Sequence, residues 1–422
     1  MKTSQFILLG LGVAFLMASC EREGCTDQTA LNYNSKAKKE NFTCIYEDGS
    51  TNNPNNPGSG NNPNDSGGVN LPIQLSGTEN SSKVIANQSN SPSVADYYIS
   101  STWTINAAVT IEPGVRIEMR PGARIIVNDN GSLNATGTPT NKIEFFGAQD
   151  VPGYWYNIEF KSNNPNNKLI YCNISNGSKV YNSEPAMVVV NGNGQVTVQN
   201  STFMNGSEHG IMTRGSGKLP NFTSNYFSGF QNAPISLVSF GHTSFLDNST
   251  TFGSNAVQSI YIQGNAVEGN TQVPNMGIPY SVRGNATFNQ GHTVIEAGVN
   301  IKMAANVFLR VNENASLEIA GNPSSPCSIT GEINAKGYWY NLTFNSNNPA
   351  NKISYTTISD GRNYYGGQAG LIHIGGSSSL SMNNTYLSNS PTTALDGAGS
   401  STFIDGGGNA WSDCDGGGGL LP

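Results

Sequence analysis

Charged side chains are scarce in this 422-residue chain: Asp, Glu, Lys and Arg make up 12% of it, against about a quarter in ordinary domains. Long surface helices are built from Glu, Lys, Arg and Ala, so this scarcity argues against them. The net charge is −7 and no basic stripe is present, which disfavours nucleic acid as a partner. No window shows the 3.6-residue apolar period of an amphipathic helix.

The usual sequence marks of catalysis and metal binding are also missing. There are four histidines, and they are scattered without the short spacings of zinc ligands. No GxSxG motif, phosphate-binding loop or CxxC pair is present. The motifs therefore lead us to expect no catalytic residues, no metal site and no cofactor in the repetitive part of the chain.

The chain is rich instead in Asn, Ser, Thr and Gly, arranged in an internal repeat. Segments 153–177 and 337–361 are identical at 16 of 25 positions. We call the difference between their positions (337 minus 153) the repeat offset. The same offset relates 109–114 (VTIEPG) to 293–298 (TVIEAG). The two parts of the chain that match at this offset are called the first copy and the second copy. Such a repeat predicts a long repetitive scaffold and not a compact catalytic domain.

Short alternating runs bounded by turn residues fill the chain from about residue 71 to residue 414. In 115–119, for example, the first, third and fifth residues are apolar, and this period of two predicts β-strands. Two all-β folds fit: a β-sandwich array and a parallel β-helix solenoid. Similar strands start roughly every 20 to 25 residues, and Asn and Gly are dense, which favours the β-helix. We predict two related halves, 71–250 and 251–422, with about 14 to 16 rungs.

Three motifs resemble recurring elements of the right-handed, pectate-lyase-like parallel β-helix proteins of Bacteroidetes. They are Val109–Gly114 (VTIEPG), Gly131–Gly137 (GSLNATG) and Gly153–Phe160 (GYWYNIEF). The resemblance covers nearly all of the repetitive region and implies right-handed coiling, but its motifs specify fold much better than activity. The chain departs from the family pattern at Asn157 and Asn341, where the family has Gly.

The N-terminus resembles the leader of an exported bacterial lipoprotein. The apolar run Phe6–Ala18 is too short and too broken by glycine for a membrane span, so residues 1–19 are predicted to be a signal peptide. The sequence MASC resembles a lipobox, which implies that Cys20 is acylated; an ordinary signal peptide with a chance cysteine is the alternative. Several acyl chains anchor a protein stably. We expect the outer membrane as a partner through this anchor, and a cell-surface location.

A short module with two cysteines occupies residues 20–47. Its part Gly24–Tyr46 resembles a module common in exported Bacteroidetes proteins, with the pattern GCTD-x-x-A-x-NYN and a closing C-x-Y. In an oxidising compartment, a disulfide between Cys25 and Cys44 is then expected. Residues 48–70, rich in Asn, Pro and Gly, are predicted to be a flexible, disordered linker.

The same module offers oxygen atoms that suit a calcium ion. They belong to Asp27, Asn32 and Asn34, and carboxylate and amide oxygens are calcium ligands. The alternative is that these side chains bond to their own turns. The acidic pair that the resembled module carries before its second cysteine is missing here, which favours turn bonding.

Three further cysteines lie in the repetitive region. Cys327 aligns with Ile143 and is predicted to face the core as a small apolar side chain. Cys172 aligns with Thr356, and we expect it to be structural too. Cys414 lies near the end of the chain, and a disulfide between it and either of the others is left open.

Enzymes of the resembled fold usually act on acidic polysaccharides. Their lyases use a basic residue with calcium or a second basic group, and their hydrolases use two or three facing carboxylates; neither set is evident here. The best basic cluster is Arg116, Arg120 and Arg124, which has no counterpart in the second copy. It is a candidate site for an anionic sugar. The alternative is a solvated face paired with Glu112 and Glu118.

The repeated aromatic segment is the other candidate site. By alternation, Tyr156, Ile158 and Phe160 share a core face, which puts Trp155 on the opposite face or at a corner; Trp339 is its counterpart. An exposed indole stacks well on a sugar ring, and two such sites would raise the avidity for a polymer. The alternative is that both tryptophans pack under a loop at the turn.

These observations predict a cell-surface lipoprotein whose β-helix binds glycans or mediates adhesion without catalysis. A lyase or glycoside hydrolase acting on acidic polysaccharide is the second interpretation. Binding of an ordered surface such as ice is the third, although Thr-x-Thr runs such as Thr102–Thr104 do not recur from rung to rung.

Overall fold

The computed structural model describes residues 23–26, 28, 33–40, 72–89, 94–362 and 369–421. It contains two compact units, Met1–Asn70 and Leu71–Pro422. The predicted signal peptide, the lipidation residue Cys20 and the predicted linker lie outside the described residues. Within the described residues, no helix is long and apolar enough to cross a membrane.

The first unit contains one short parallel strand pair, β1 (Glu23–Gly24) with β2 (Lys39–Glu40). Cys25 follows β1, is buried and is disulfide-bonded. Its predicted partner Cys44 lies outside the described residues, so the pairing stays a prediction. Asn34 Oδ1 accepts a hydrogen bond at 3.1 Å from the backbone N–H two residues on, which is a side-chain turn bond. The other two oxygen donors considered for calcium lie outside the described residues.

The second unit is built from parallel strands. Its largest element is a sheet of 14 strands, which we call the long sheet. In spatial order its strands are β4 (Gly77–Glu79), β7 (Thr102–Ile105), β10 (Arg124–Val127), β13 (Ile158–Phe160), β16 (Ala186–Val190), β19 (His209–Thr213), β22 (Ile235–Leu237), β24 (Ile260–Ile262), β27 (Tyr280–Val282), β29 (Asn300–Met303), β31 (Cys327–Gly331), β34 (Thr356–Ser359), β37 (Tyr386–Ser390) and β40 (Ala410–Cys414).

Two further sheets accompany the long sheet through the first copy. The eight-stranded sheet contains β3 (Ile73–Gln74), β6 (Tyr97–Ile99), β9 (Arg116–Met119), β12 (Ile143–Gly147), β15 (Cys172–Ser175), β18 (Thr202–Met204), β21 (Tyr226–Ser228) and β23 (Thr251–Phe252). The six-stranded sheet contains β5 (Lys83–Ile85), β8 (Ala108–Ile111), β11 (Ser132–Thr136), β14 (Lys168–Ile170), β17 (Thr197–Gln199) and β20 (Phe222–Thr223).

A ten-stranded sheet accompanies the long sheet through the second copy, after a short 3-10 helix at Phe240–Phe245. Its strands are β25 (Asn265–Glu268), β26 (Thr271–Val273), β28 (Ala286–Ile295), β30 (Leu309–Ala320), β32 (Leu342–Phe344), β33 (Lys352–Ser354), β35 (Gly370–Ile374), β36 (Ser379–Asn383), β38 (Thr393–Gly397) and β39 (Thr402–Asp405). The long strand β30 pairs with β32 along its first half and with β33 along its second half.

From β3 to β20, each circuit of the chain adds one strand to the eight-stranded sheet, one to the long sheet and one to the six-stranded sheet. The next circuit lays a parallel strand beside each of them. Parallel pairing of this kind is not that of the antiparallel β-sandwich, and it is compatible with a parallel β-helix. The 14 strands of the long sheet agree with the number of rungs predicted from the sequence.

The predicted alternation puts apolar side chains into one continuous core. In β9, Ile117 and Met119 are fully buried, while the polar residues next to them are partly exposed. Pairing in register stacks like residues: the rings of Phe203 and Phe227 lie 4.7 Å apart and 4° from parallel. Burial of apolar surface, at about 25 cal/mol per Å², is the main stabilising term for such a stack.

The corners of the circuits explain the abundance of Asn and Gly. Asn176, Asn205 and Gly229 follow paired strands of the eight-stranded sheet, and they have φ angles of 66°, 57° and 76°. Gly adopts this left-handed conformation without steric cost, and Asn does so more easily than other residues. The same corner can therefore be turned in successive circuits.

Equivalent strands of the two copies do not lie in the same sheet. β9 lies in the eight-stranded sheet, whereas its counterpart in the second copy, β29, lies in the long sheet. At the junction between the copies, Ile260 of β24 pairs with Tyr280 of β27. This pairing puts β27 in the long sheet, whereas its counterpart β6 lies in the eight-stranded sheet. Equivalent surfaces of the two copies therefore border different sheets.

The three cysteines of the second unit are buried and free, so Cys414 pairs with neither Cys172 nor Cys327. Cys327 faces inward, as predicted, and is 3% exposed. Burial raises the pKa of the Cys172 thiol, which keeps the thiol protonated and unreactive. These residues are structural.

Candidate functional site

A polar recess opens where the chain leaves strands β10, β13 and β16 and turns the corner. Because these parallel strands are paired in register, they end at one edge of the long sheet and their turns lie side by side. The recess has a volume of about 410 Å³, and we call it the first recess. Its lining residues are Asp129, Lys161, Asn163, Asn191, Gly192 and Asn193.

A larger recess opens beside the middle of strand β30, where strands β32 and β35 end, in the ten-stranded sheet. Its volume is about 710 Å³, and we call it the second recess. Side chains from the neighbouring circuits complete its walls. Its lining residues are Glu268, Asn289, Gln290, Asn312, Glu313, Asn314, Asn345, Gly375, Gly376, Ser377 and Ser378.

The two recesses are equivalent positions of the repeat, because their lining residues are related by the repeat offset. Both contain a turn glycine with a left-handed φ, 60° at Gly192 and 51° at Gly376. Both also carry a carboxylate at the same place. The equivalent pairs are Asp129 with Glu313, Lys161 with Asn345, Asn191 with Gly375, Gly192 with Gly376, and Asn193 with Ser377.

The shared carboxylates of Asp129 and Glu313 are exposed. Neither makes a hydrogen bond or an ion pair with another described residue. An ionised carboxylate accepts hydrogen bonds through two oxygens and about four lone-pair sites. Each recess therefore presents one group able to accept several donors from a ligand.

Several other polar groups of the recesses are held in place by hydrogen bonds. In the second recess, Asn312 Nδ2 donates to Asn289 Oδ1 at 2.7 Å, and Asn289 Nδ2 donates to Glu268 Oε1 at 2.6 Å. In the first recess, Asn191 Nδ2 donates to Glu159 Oε1 at 3.0 Å. Fixed side chains lose less conformational freedom when a ligand binds.

The tryptophans predicted to bind sugars are not exposed. Trp155 and Trp339 are both 0% exposed. Their indole Nε1–H groups donate to backbone carbonyls, that of Ser175 at 2.8 Å and that of Ser359 at 2.7 Å. An indole buried in this way cannot stack on a sugar ring. The predicted ligand-binding role is therefore wrong for both, and they pack at the turn as the alternative had it.

The error came from extending strand alternation into a turn. Strand β13 begins only at Ile158, so Trp155 and Tyr156 precede it and do not follow its period of two. As a result Trp155 is buried, while Tyr156, which was predicted to be in the core, is partly exposed. Gly177 lies so close to the indole that a Cβ there would be 2.7 Å from the ring.

The three arginines predicted as an anion site do not act together. Arg116 Nε donates to Glu144 Oε2 at 2.7 Å, and Arg120 Nε donates to Glu118 Oε1 at 2.6 Å. Arg124 lies in the long sheet and its side chain is 7% exposed. All three charges are paired with glutamates, so the predicted anionic-sugar site is wrong. The alternative of a solvated face paired with Glu112 and Glu118 holds only for Arg120, because Arg116 and Arg124 pair with other glutamates and Arg124 is buried.

Arg124 belongs to a buried ionic cluster that only the first copy has. Its Nη2 lies 2.8 Å from Glu159 Oε2 and 2.6 Å from Glu184 Oε2, and its Nε donates to Asn157 Oδ1 at 2.9 Å. Burial raises the pKa of the Glu184 carboxyl, and the neighbouring Glu159 carboxylate adds to the rise. The cluster gives Asn157 a structural role. Its two carboxylates are too buried to meet a substrate.

Sequence reasoning missed both recesses, although a signal was present. The tripeptides NDN at 128–130 and NEN at 312–314 recur at the repeat offset. A short local motif does not say which residues of the neighbouring circuits lie beside it. The stacking of circuits brings residues that are distant in sequence to one place, as with Asp129 and Lys161.

No group of three His, Cys, Asp or Glu side chains that could hold a metal ion occurs among the described residues. No protein-family model matches the chain, and no curated protein matches it either. The function therefore has to be inferred from the chemistry of the recesses themselves.

Proposed function

We propose that this protein is a right-handed parallel β-helix solenoid of two related halves that binds glycan chains at the first and second recesses without catalysis. One observation carries the proposal: a recess recurs at the same position of both copies, each time with an unpaired carboxylate, Asp129 or Glu313. Folding does not require an unpaired carboxylate at that position. Its presence in both copies supports a role in binding.

The lining chemistry supports a polyhydroxylated ligand. Sites for apolar small molecules are lined mainly by hydrophobic and aromatic side chains, whereas both recesses are lined by amides, carboxylates, hydroxyls, glycines and one lysine. Sugar hydroxyls donate to carboxylates and accept from amides. Each such bond has a net value of about 0.5–1.5 kcal/mol, so we expect weak binding at a single recess and stronger binding of polymers.

The two recesses act as separate sites in this proposal. The first borders the long sheet and the second borders the ten-stranded sheet. A straight ligand lying along one sheet would therefore not touch both. We expect two independent sites per protein, which allows one molecule to link two polymer chains and supports a role in adhesion.

A regular face for an ordered surface such as ice finds less support. Successive circuits of the long sheet pair Thr78 with Thr104, Thr104 with Ile126, Ile126 with Glu159, and Glu159 with Val189. This row changes from hydroxyl to apolar to charged. A surface that matches a crystal lattice needs the same group at each step.

A glycoside hydrolase is the second candidate function, and one observation favours it. Glu268 and Glu313 both line the second recess, and glycoside hydrolysis uses two carboxylates. Glu268 already accepts a hydrogen bond from Asn289, which favours the binding role over the acid role. New reducing ends released from a bound polysaccharide would establish the hydrolase and exclude the non-catalytic proposal.

The N-terminal sequence supports a lipid anchor at Cys20 and display at the cell surface. Metabolic labelling with an alkyne fatty acid should mark the wild-type protein and leave Cys20→Ala unmarked. Protease added to intact cells should remove the protein. Absence of label on the wild type would exclude the anchor, and full protease resistance would exclude surface display.

Binding is tested with the purified second unit on a panel of soluble polysaccharides, measured by affinity electrophoresis and calorimetry. We expect Asp129→Asn combined with Glu313→Gln to weaken binding about tenfold, because each variant removes a charged acceptor. The matched control is Asp415→Asn, which removes an exposed carboxylate outside both recesses while Lys336 keeps its pair with Asp413. Equal binding by the double variant and the control would refute the recess proposal.

A further inference from the structure

Beside the second recess lies a buried His–Asp pair. Strands β35 and β38 pair His373 with Asp396 in register, and His373 Nδ1 lies 2.8 Å from Asp396 Oδ1. The histidine side chain is 5% exposed and that of the aspartate 18%. Asp396 Oδ2 accepts a second hydrogen bond, at 2.9 Å, from the backbone N–H of Ala369.

The pair fixes the tautomer of the imidazole. An ionised carboxylate only accepts hydrogen bonds, so Nδ1 of His373 carries the proton and donates it to Asp396. In the neutral ring, Nε2 then has a free lone pair and can accept a hydrogen bond. Nε2 has no partner among the described residues. Nε2 is not among the completely buried polar atoms that lack a partner, so it keeps an opening through which a ligand or water can reach it.

The free Nε2 faces a gap that a glycine leaves open. A Cβ added to Gly375 would lie 3.6 Å from His373 Nε2 and would overlap Asn345 Oδ1. Gly375 and Asn345 both line the second recess. Two hydrogen-bond acceptors, one ring nitrogen and one amide oxygen, therefore converge on a space that only a glycine keeps free of a side chain.

The first copy has none of this arrangement. Asn191 stands at the position of Gly375, and its side chain occupies the corresponding space and bonds to Glu159. The positions of His373 and Asp396 hold Val189 and Met212, which pack in a small apolar cluster. The larger volume of the second recess, about 710 Å³ against about 410 Å³, agrees with the loss of that asparagine side chain.

We propose that His373 Nε2 and Asn345 Oδ1 form a diol-binding subsite over Gly375, which recognises two neighbouring hydroxyls of an uncharged sugar residue. Each ligand hydroxyl donates to one of the two acceptors. His373 contacts the ligand, and Asp396 is a positioning residue that holds the Nδ1–H of the neutral imidazole and so directs Nε2 into the gap. The inference deepens the proposed function and rests on it: it makes the second recess the stronger of the two sites and names the ligand group.

The first test fills the gap with the residue of the first copy. Gly375→Asn should weaken binding of neutral polysaccharides (xylan, mannan and dextran are the probes) at least tenfold. Its matched control is Gly277→Asn, at a turn with open space and a left-handed φ of 74° outside the recess, which should bind as the wild type does. Per-O-methylated forms of the same polysaccharides should bind wild type and Gly375→Asn equally weakly, because they lack donors.

A second variant tests the subsite independently, in case Gly375→Asn does not fold. His373→Val combined with Asp396→Met reproduces the pair found in the first copy, so the double variant should fold and should lose binding to a similar degree. Unchanged affinity in Gly375→Asn and in this double variant overturns the subsite. If Asp129→Asn with Glu313→Gln still loses binding in that case, the recess function stands without the subsite.

The third measurement does not depend on polymer affinity. In protein labelled with ¹⁵N-histidine, the imidazole of His373 should show the Nδ1–H tautomer, and Asp396→Asn should disturb it. Titration with methyl α-mannoside, which has neighbouring hydroxyls, should shift the Nε2 resonance, and the per-O-methylated glycoside should not. An Nε2 that responds to neither sugar, or that carries the proton in the wild type, overturns the proposal even when no polysaccharide of the panel binds.

Discussion

Asn205 donates a hydrogen bond from Nδ2 to Oδ1 of Asp150 at 2.7 Å, and the two residues are 55 positions apart in sequence. Asn176 donates to the same oxygen at 2.8 Å. The three side chains hold adjacent circuits together at a corner. We call them the first corner triad.

The second copy repeats this triad with the acid and an amide exchanged. Asn389 Nδ2 donates to Asn334 Oδ1 at 2.8 Å and to Asp360 Oδ1 at 2.6 Å. Asn334 is the counterpart of Asp150, Asp360 the counterpart of Asn176, and Asn389 the counterpart of Asn205. Both triads thus contain one carboxylate and two amides, with the carboxylate on different members.

Because the acid and the amide are exchanged in the second triad, we expect substitutions at Asp150 and Asn176 to compensate for each other's loss of stability. Asp150→Ala should cost about 1–2 kcal/mol of unfolding free energy, because the buried amide of Asn176 loses its acceptor. Asp150→Asn combined with Asn176→Asp should be more stable than either single variant, since it recreates the second triad. Chemical denaturation of all variants measures the coupling energy. Additive effects of the two single substitutions would contradict a shared triad.

The buried indole predicts a strict requirement for glycine at position 177. Gly177→Ala should destabilise the protein by about 1–3 kcal/mol, because its Cβ would overlap the ring of Trp155. Gly269→Ala is the control: its Cβ would meet no atom within 4 Å, so its thermal midpoint should not fall. Trp155→Phe should bind glycans as the wild type does once folded. If Trp155→Phe has wild-type stability and still loses glycan binding, Trp155 must be part of the binding site.

The ionic cluster of the first copy predicts that Arg124 matters most through the charges it neutralises. Arg124→Met should cost about 3–5 kcal/mol, because it leaves Glu159 and Glu184 buried without a cation. Thermal or urea unfolding measures the loss.

The residues of the second copy suggest a triple variant that should restore the stability lost in Arg124→Met. The combination Arg124→Phe, Glu159→Thr and Glu184→Gln introduces the residues found at the equivalent positions there, and it should recover most of the stability. A triple variant no better than Arg124→Met would show that the charges are not the source of the loss.

Acid should weaken the fold through His242. Burial, helped by the charge of Lys218, lowers the pKa of this histidine to about 4, and its Nδ1 lies 2.9 Å from Thr213 Oγ1. Between the unfolded pKa near 6.5 and the folded pKa, only the unfolded chain binds the proton, so stability falls as pH falls through that window. At about 1.4 kcal/mol per pKa unit, and with partial exposure, the loss is about 2 kcal/mol.

The pH effect is isolated by comparing two proteins. Urea unfolding of the wild type and of His242→Gln between pH 7 and pH 4 should give a shallower pH dependence for the variant, whatever its stability at pH 7. Parallel curves for the two proteins would assign the acid sensitivity to other groups.

The strands and the inward faces could be predicted from local pattern. Alternation placed Ile117 and Met119 in the core, and alignment of the repeat placed Cys327 there, as the structure has them. These predictions held because a period of two is a property of a strand itself. Alternation failed at Trp155 because the chain is turning there, and a turn has no period of two.

The candidate site could not be predicted in the same way. Asp129 and Glu313 lie in the recurring tripeptides NDN and NEN, and the sequence alone assigns them no partner. Their neighbours in the recesses, such as Lys161 and Asn345, come from the next circuit. Which residue of that circuit lies beside them depends on the length of the circuit, and lengths vary between copies and at the junction.

The sequence by itself determined that this chain is all-β, repeats itself at a constant offset, and alternates apolar and polar side chains along short strands. Only the tertiary structure decided which strands lie side by side, that equivalent strands of the two copies lie in different sheets, and that the repeated tryptophans are buried while the two recesses lie at the surface. The physical reason is that alternation is set by the local geometry of each strand. Pairing between circuits is set by register across a whole circuit of the chain, as between Ile260 and Tyr280.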